Sequence, residues 1–209
     1  MSFECSLHGR ISDTLKPKLF ERLMGICGNE PIDIFELELG FVPTFQTPVG
    51  PARNEDVLLR LKSPLEEKDL SRRQWQLCHF GHPETTQKKV SVRPVLYSRI
   101  TQGNAFDFMR ALGYSFAFEF VKKGNVFVYE DVVKISITRI YELEKLHDPT
   151  SLKPFDPQNF WVVEASTFSD KSAITLKAGE LEKLASNLTG ILDLHHVEHL
   201  FLQNKINYG

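Results

Sequence analysis

The chain carries two groups of residues whose types and spacing could do chemistry. The first is His195-His196-Val197-Glu198-His199, a match to the H-x-x-E-H pattern of the inverted zinc proteases. On a helix, His195 and His199 would share a face and hold a zinc ion, with Glu198 beside it as a base. A catalytic zinc also needs a third protein ligand, and only ten residues follow His199. The second group is Glu36-Leu37-Glu38, taken with Glu4, Ser6 and His8. Alternate residues of antiparallel strands all face the inside of a barrel. Carboxylates and cations lining such a tunnel could hold metal ions and a polyphosphate. Here Gly40 follows the acidic pair where a cation would be wanted, and Ser6 and His8 stand where a second carboxylate and a lysine would serve. Arg60, Arg73 and Arg139 are the cations expected from other strands.

Other chemistries find no residues. There is no phosphate-binding G-x-x-x-x-G-K-[ST] loop, no G-x-G-x-x-G and no G-x-S-x-G. Cys78 and His79 are adjacent, so on a strand their side chains point to opposite faces and cannot form a nucleophile–base pair. Phe116, Phe118 and Phe120 could stack bases on an open sheet, but Lys122 and Lys123 are nearly their only basic company, and a core role is expected. Catalytic, cofactor-binding and metal-binding residues are therefore expected to be none.

Composition agrees with a binding protein. The chain has 209 residues with 25 basic against 27 acidic side chains, a formal charge of −2. Basic and acidic residues are interleaved, so neither nucleic acid nor an anionic membrane is the expected partner. Three cysteines, Cys5, Cys27 and Cys78, make no CxxC pair, which favours a reducing compartment with buried thiols. No charged start followed by an apolar stretch marks a signal peptide, and no run of about 18 apolar residues would span a membrane. Sixteen phenylalanines favour sheets and large apolar contacts.

The elements that must position these residues follow from periodicity. Period-two alternation predicts strands over 3–11, 32–43, 57–61, 73–80, 90–100, 133–143 and 160–168. A hairpin is expected from Tyr114 to Tyr129, turning at Lys122-Lys123-Gly124-Asn125. Helical spacing predicts helices at about 13–27, capped by Ser12 or Asp13 and ended by Gly28, at 104–112, capped by Asn104, and at 176–191. Residues 63–71 read as a charged link. Short connections imply antiparallel pairing. The expected fold is α+β and β-rich: one domain over 1–209, an antiparallel barrel of about eight strands with helices packed outside.

Three stretches carry a resemblance to a known family. They are Phe3-Glu4-Cys5-Ser6-Leu7-His8-Gly9-Arg10-Ile11, then Trp75-Gln76-Leu77-Cys78-His79-Phe80-Gly81-His82-Pro83-Glu84, then Phe106-Asp107-Phe108-Met109-Arg110-Ala111-Leu112-Gly113-Tyr114 with Glu119-Phe120-Val121-Lys122-Lys123-Gly124-Asn125-Val126-Phe127. In pattern and order the chain resembles subunit 18 of the Mediator complex, in the head module. The resemblance implies a nuclear, non-catalytic barrel that pairs with Mediator subunit 20. It also implies that the barrel receives the C-terminal helix of Mediator subunit 8 and supports initiation by RNA polymerase II. The barrel is also similar to the triphosphate-tunnel fold, with a metal-dependent phosphohydrolase as the alternative activity. The departures at Gly40, Ser6 and His8 count against that inheritance. For a helix-binding groove the candidate anchors are Phe155, Phe160 and Trp161.

Overall fold

In a computed structural model, residues 2–44, 57–66, 68–69, 72–84, 89–198 and 202 are described. Eight strands close on one another in the order β6 (Tyr114–Tyr129), β2 (Ile32–Pro43), β3 (Leu59–Pro64), β4 (Gln76–Phe80), β5 (Ser91–Arg99), β1 (Ser2–Ile11), β9 (Trp161–Ser169) and β7 (Val133–Leu143). The pairing of β7 back to β6 completes the barrel, and the short β8 (Leu152–Pro154) extends the far end of β7. Every pairing is antiparallel.

The apolar core lies outside the barrel wall. Cys5, Leu7 and Ile11 of β1, Ile135 and Ile137 of β7, and Val163 and Ala165 of β9 face outward. There they pack under α1 (Lys16–Cys27) and α3 (Ile174–Leu188), whose Leu19, Leu23, Leu181, Leu184 and Leu188 are buried. A second plate, Leu37, Leu39 and Phe41 with Leu61 and Val121, lies under Ala105 and Met109 of α2 (Ala105–Ala111). The same alternation turns the other residue of each pair inward, which is why the lumen is polar.

Asn104 caps α2 by accepting hydrogen bonds from the Phe106 and Asp107 amides at 2.8 and 3.2 Å. Gly28 ends α1 in the left-handed conformation. Neither Ser12 nor Asp13 caps α1 with its side chain: the helix starts at Lys16 after Leu15, and the Ser12 carbonyl accepts from the Lys16 amide at 3.1 Å. Asp13 is drawn away instead to Arg139 (2.5 Å) and the Trp161 indole (2.7 Å). Ser63, expected in a link, is buried within β3, where its hydroxyl accepts from the Gln74 amide at 3.0 Å. Residues 73–75, expected as strand, precede β4.

The largest difference from expectation is the hairpin. Lys122–Asn125 is not a turn but the middle of β6, which runs unbroken for 16 residues. The reversal comes at Glu130 and Asp131, both in the left-handed region (φ 49° and 56°). Gly124 is present for close approach: a Cβ there would overlap the Ile137 carbonyl of β7.

β5 pairs with β1 only from Ser2 to Ser6. Beyond that point the chain's own C-terminal segment takes the edge. His8 N–H donates to the His195 carbonyl at 2.8 Å, and His195 N–H returns a bond to His8 at 2.9 Å. The Ser91 hydroxyl donates to the Val197 carbonyl (3.0 Å) and accepts from its amide (2.8 Å).

Candidate functional site: the barrel lumen

All eight closing strands contribute to a cavity of about 450 Å³ inside the barrel. Register explains its charge pattern, because directly opposed residues share a face. Glu4 of β1 lies opposite Arg93 of β5, Glu38 of β2 opposite Lys62 of β3, and Glu36 of β2 opposite Lys122 of β6. Glu164 of β9 lies opposite His8 of β1.

Glu38 is the centre of the arrangement. Its side chain is fully buried and engages Arg60, Lys62 at 3.3 Å and Lys122 at 3.2 Å. Burial alone would raise its pKa, but Lys122, Lys62 and Arg60 together outweigh it and hold the carboxyl far below the usual range. In return Glu38 raises Lys62 above its ordinary value, against the effect of burial. Glu4 receives Arg93 through two nitrogens, at 2.5 and 2.6 Å, and burial nevertheless pushes its pKa upward. Glu164 is lowered against burial by Lys122, His8, Arg93 and Lys62. His8 is shifted the other way, toward the neutral form, mainly by desolvation. One wall is aromatic: the Phe80 ring lies under the Arg93 guanidinium at 4.0 Å, with Lys62 and Arg60 at 5.3 and 5.5 Å.

The structure therefore brings Glu4, Glu36, Glu38 and Arg60 together, as the tunnel reading expects. It does not bring Arg73 or Arg139 to them. Arg73 lines a separate cleft beside α2, and Arg139 faces outward to Asp13 because it shares the parity of Ile135 and Ile137. Acids are also more numerous than expected, since Glu164 joins the lumen. Lys62, Arg93, Lys122 and Lys134 were missed, and strand parity would have found them: Lys62 is two residues from Arg60, and Lys134 two from Ser136.

Gly40 has a structural explanation. A Cβ at that position would overlap the Phe118 ring, which occupies the space of the missing side chain. A β-bulge between Gly40 and Phe41 pairs Gly40 with Phe118 but Phe41 with Phe116. The phenylalanine ladder is thereby split. Phe116 packs outward against Phe41 and His147, while Phe118 and Phe120 stack at 6.2 Å on the Glu38 side. Phe118 is thus not core but an exposed ring at the lumen's end.

The histidine motif does not form. His195 bridges to His8, and His195 through Glu198 form no helix that would align His195 with a residue four positions on; His199 lies outside the described residues. Among the described residues no three His, Cys, Asp or Glu side chains come together as a metal group. Two of the four lumen acids, Glu4 and Glu38, are not free for a divalent cation, because they already face arginine and lysine. Cys78 is buried with its thiol pushed up to about 12, chiefly by burial. Its neighbour His79 points to the opposite face of β4, as alternation requires.

The groove candidates lie in the β8–β9 connection and at the start of β9. Phe155 is 61% exposed, and Phe155 and Phe160 line a cleft of about 270 Å³ with Arg10 and Arg139. Trp161 is engaged from within the chain, with Lys16 3.4 Å and Arg139 4.3 Å from its ring centre.

Sequence and fold point to the same relatives. A family model described as Med18 protein matches residues 3–205. Mediator of RNA polymerase II transcription subunit 18 from Yarrowia lipolytica is 26% identical over 219 residues, covering 91% of this chain and 94% of its own. The protein of the same name from Schizosaccharomyces pombe is 28% identical and covers 80% of this chain and 86% of its own. In structure, a chain of the S. pombe Mediator head module superposes with a TM-score of 0.79 at 22% identity, covering 93% of this chain and 98% of that one. The fold also matches a Mimivirus capping enzyme triphosphatase, with a TM-score of 0.53 at 11% identity over 90% and 88% of the two chains.

Proposed function

The chain belongs to the Med18 protein family, and from that premise we propose that it is a non-catalytic subunit of the Mediator head module, acting in the nucleus in transcription by RNA polymerase II. It works as a protein-binding barrel that pairs with Mediator subunit 20 and holds the C-terminal helix of Mediator subunit 8. The observation that carries this reading is the family match over nearly the whole chain, joined to a lumen whose two buried acids, Glu4 and Glu38, are held by arginine and lysine. Glu38 is engaged by three cations and Glu4 by one arginine, so they serve to hold the wall together and are not free to bind metal. Phe155 and Phe160 supply apolar contacts for the helix, and the exposed ring of Phe155 is the first to be covered. Trp161, pinned by Asp13 through its indole N–H, shapes the base of that surface.

Co-expression with subunit 20 and a peptide of the subunit 8 C-terminus tests the proposal. A complex with one copy of each chain is expected by size exclusion and mass spectrometry. Failure to bind either partner would refute it. The phosphohydrolase reading makes a separate prediction: release of phosphate from tripolyphosphate with Mg²⁺ or Mn²⁺, abolished by Glu36→Ala. No release above background is expected.

A further inference from the structure

β1 pairs with β9 from Phe3 to Ile11, but β5 accompanies it only as far as Ser6. The rest of that edge is covered by residues 192–197, which alternate as a strand does. Leu192 and Leu194 turn to the apolar core outside the wall, and His195 turns the other way. Gly9 of β1 leaves no room between them: a Cβ there would stand 2.8 Å from the Asp193 carbonyl. His8 and His195 exchange both backbone bonds, so they are directly opposed with their side chains on one face. On its other side His8 is opposed to Glu164 of β9. A row His195–His8–Glu164 therefore crosses three neighbouring segments, and its Glu164 end lines the lumen.

His8 is the largely buried middle of this row. Its Nδ1 has no hydrogen-bond partner among the described residues, and its Nε2 stands 4.0 Å from the Glu164 carboxylate, too far for a hydrogen bond. Desolvation is the largest influence on the ring and opposes a proton. Glu164 of β9 favours one, while Arg93 of β5, His195 of the covering segment and Lys122 of β6 oppose it. The imidazole is thus held neutral, below its ordinary value of 6.5. The covering segment is joined to the wall by two backbone bonds to His8 and two bonds to the Ser91 hydroxyl, a far shorter seam than that between β1 and β9. A charged His8 gains water most readily by parting that seam. We propose that residues 192–197 form an acid-released strap, which protonation of His8 detaches from β1. Its release bares the edge of β1 from Leu7 to Ile11, an open edge of the kind that another extended chain can complete.

The device is internal to the barrel and independent of partner binding. Opening returns His8 to water and its ordinary value, so closure is at full strength above about 6.5 and weakens as pH falls below it. Amide hydrogen exchange of the full-length chain at pH 7.5 and 5.5, corrected for the intrinsic pH dependence of exchange, tests this by mass spectrometry. One proton taken up on opening limits the gain over this range to about tenfold, and a three- to tenfold rise is expected at 192–198, with α3 unchanged. His8→Gln should hold exchange at its neutral-pH level and remove the response. Glu164→Gln should bring the response closer to the tenfold ceiling, because it removes the one facing group that favours the proton. The proposal is overturned if corrected exchange is flat or falls with acid, or if α3 opens equally. It is also overturned if His8→Gln keeps the rise or Glu164→Gln weakens it.

Discussion

Replacing Glu38 by glutamine keeps the shape of the side chain and removes only its charge. The carboxylate is 0% exposed, and Arg60, Lys62 and Lys122 around it are 25%, 15% and 24% exposed. Removing one member of a buried ion pair costs about 3–5 kcal/mol, because the remaining charge has no counter-ion. Here the partially exposed cations can turn toward solvent, which places the expected cost near the lower end, about 3 kcal/mol. For a chain of this size that corresponds to a fall in Tm of about 6–12 °C. Chemical denaturation of both proteins at several pH values measures it. The folded-state pKa of Glu38 is depressed, so its stabilisation is present above the unfolded value of 4.5 and is lost as pH falls toward the folded one. The deficit of Glu38→Gln should therefore be constant from neutral pH to about 5.5 and shrink below 4.5. A double-mutant cycle with Lys122→Met should show coupling of at least about 1 kcal/mol. If Glu38→Gln costs less than about 0.5 kcal/mol at pH 7, or its deficit does not depend on pH, the carboxylate is not the electrostatic centre of the wall.

Three further outcomes are expected. Gly124→Ala should destabilise by more than about 2 kcal/mol, measured by denaturant midpoint, because its Cβ meets backbone of β7 and not a side chain that could move. Ser91→Ala should cost about 1 kcal/mol and raise amide exchange at Val197 selectively, since that hydroxyl makes both of its bonds to the same residue. In the native protein at pH 8, iodoacetamide should modify Cys27 first and leave Cys5 and Cys78 unlabelled by mass spectrometry. Cys27 is half-buried, the other two are fully buried, and the Cys78 thiol titrates only near 12.

How far the sequence could be read depended on what each signal encodes. Alternation in β1, β2 and β7 was plain, because one face must be apolar to meet the helices and the other must not. Asn104 and Gly28 marked helix ends because each meets a local backbone requirement. The turn was misplaced at Lys122–Asn125 because a glycine flanked by polar residues has the same composition whether it reverses the chain or admits a neighbouring strand. The bulge at Gly40 was invisible, so three phenylalanines at period two looked like one face when they occupy two. Charge partners were the hardest to read. Glu38 and Arg60, or Glu4 and Arg93, are far apart in sequence and meet only through strand register.

The closure of β1 has a consequence for how the chain is made. β1 is made before every segment it pairs with, residues 91–95 and 161–169, with His195 last of all. Through most of synthesis it is an unpaired strand with an apolar outer face, the kind of segment that invites misassociation. Its completion waits on a segment made long after it. Such a barrel closes late, and its yield in a cell should depend on whatever shields β1 until the segment around His195 has been made.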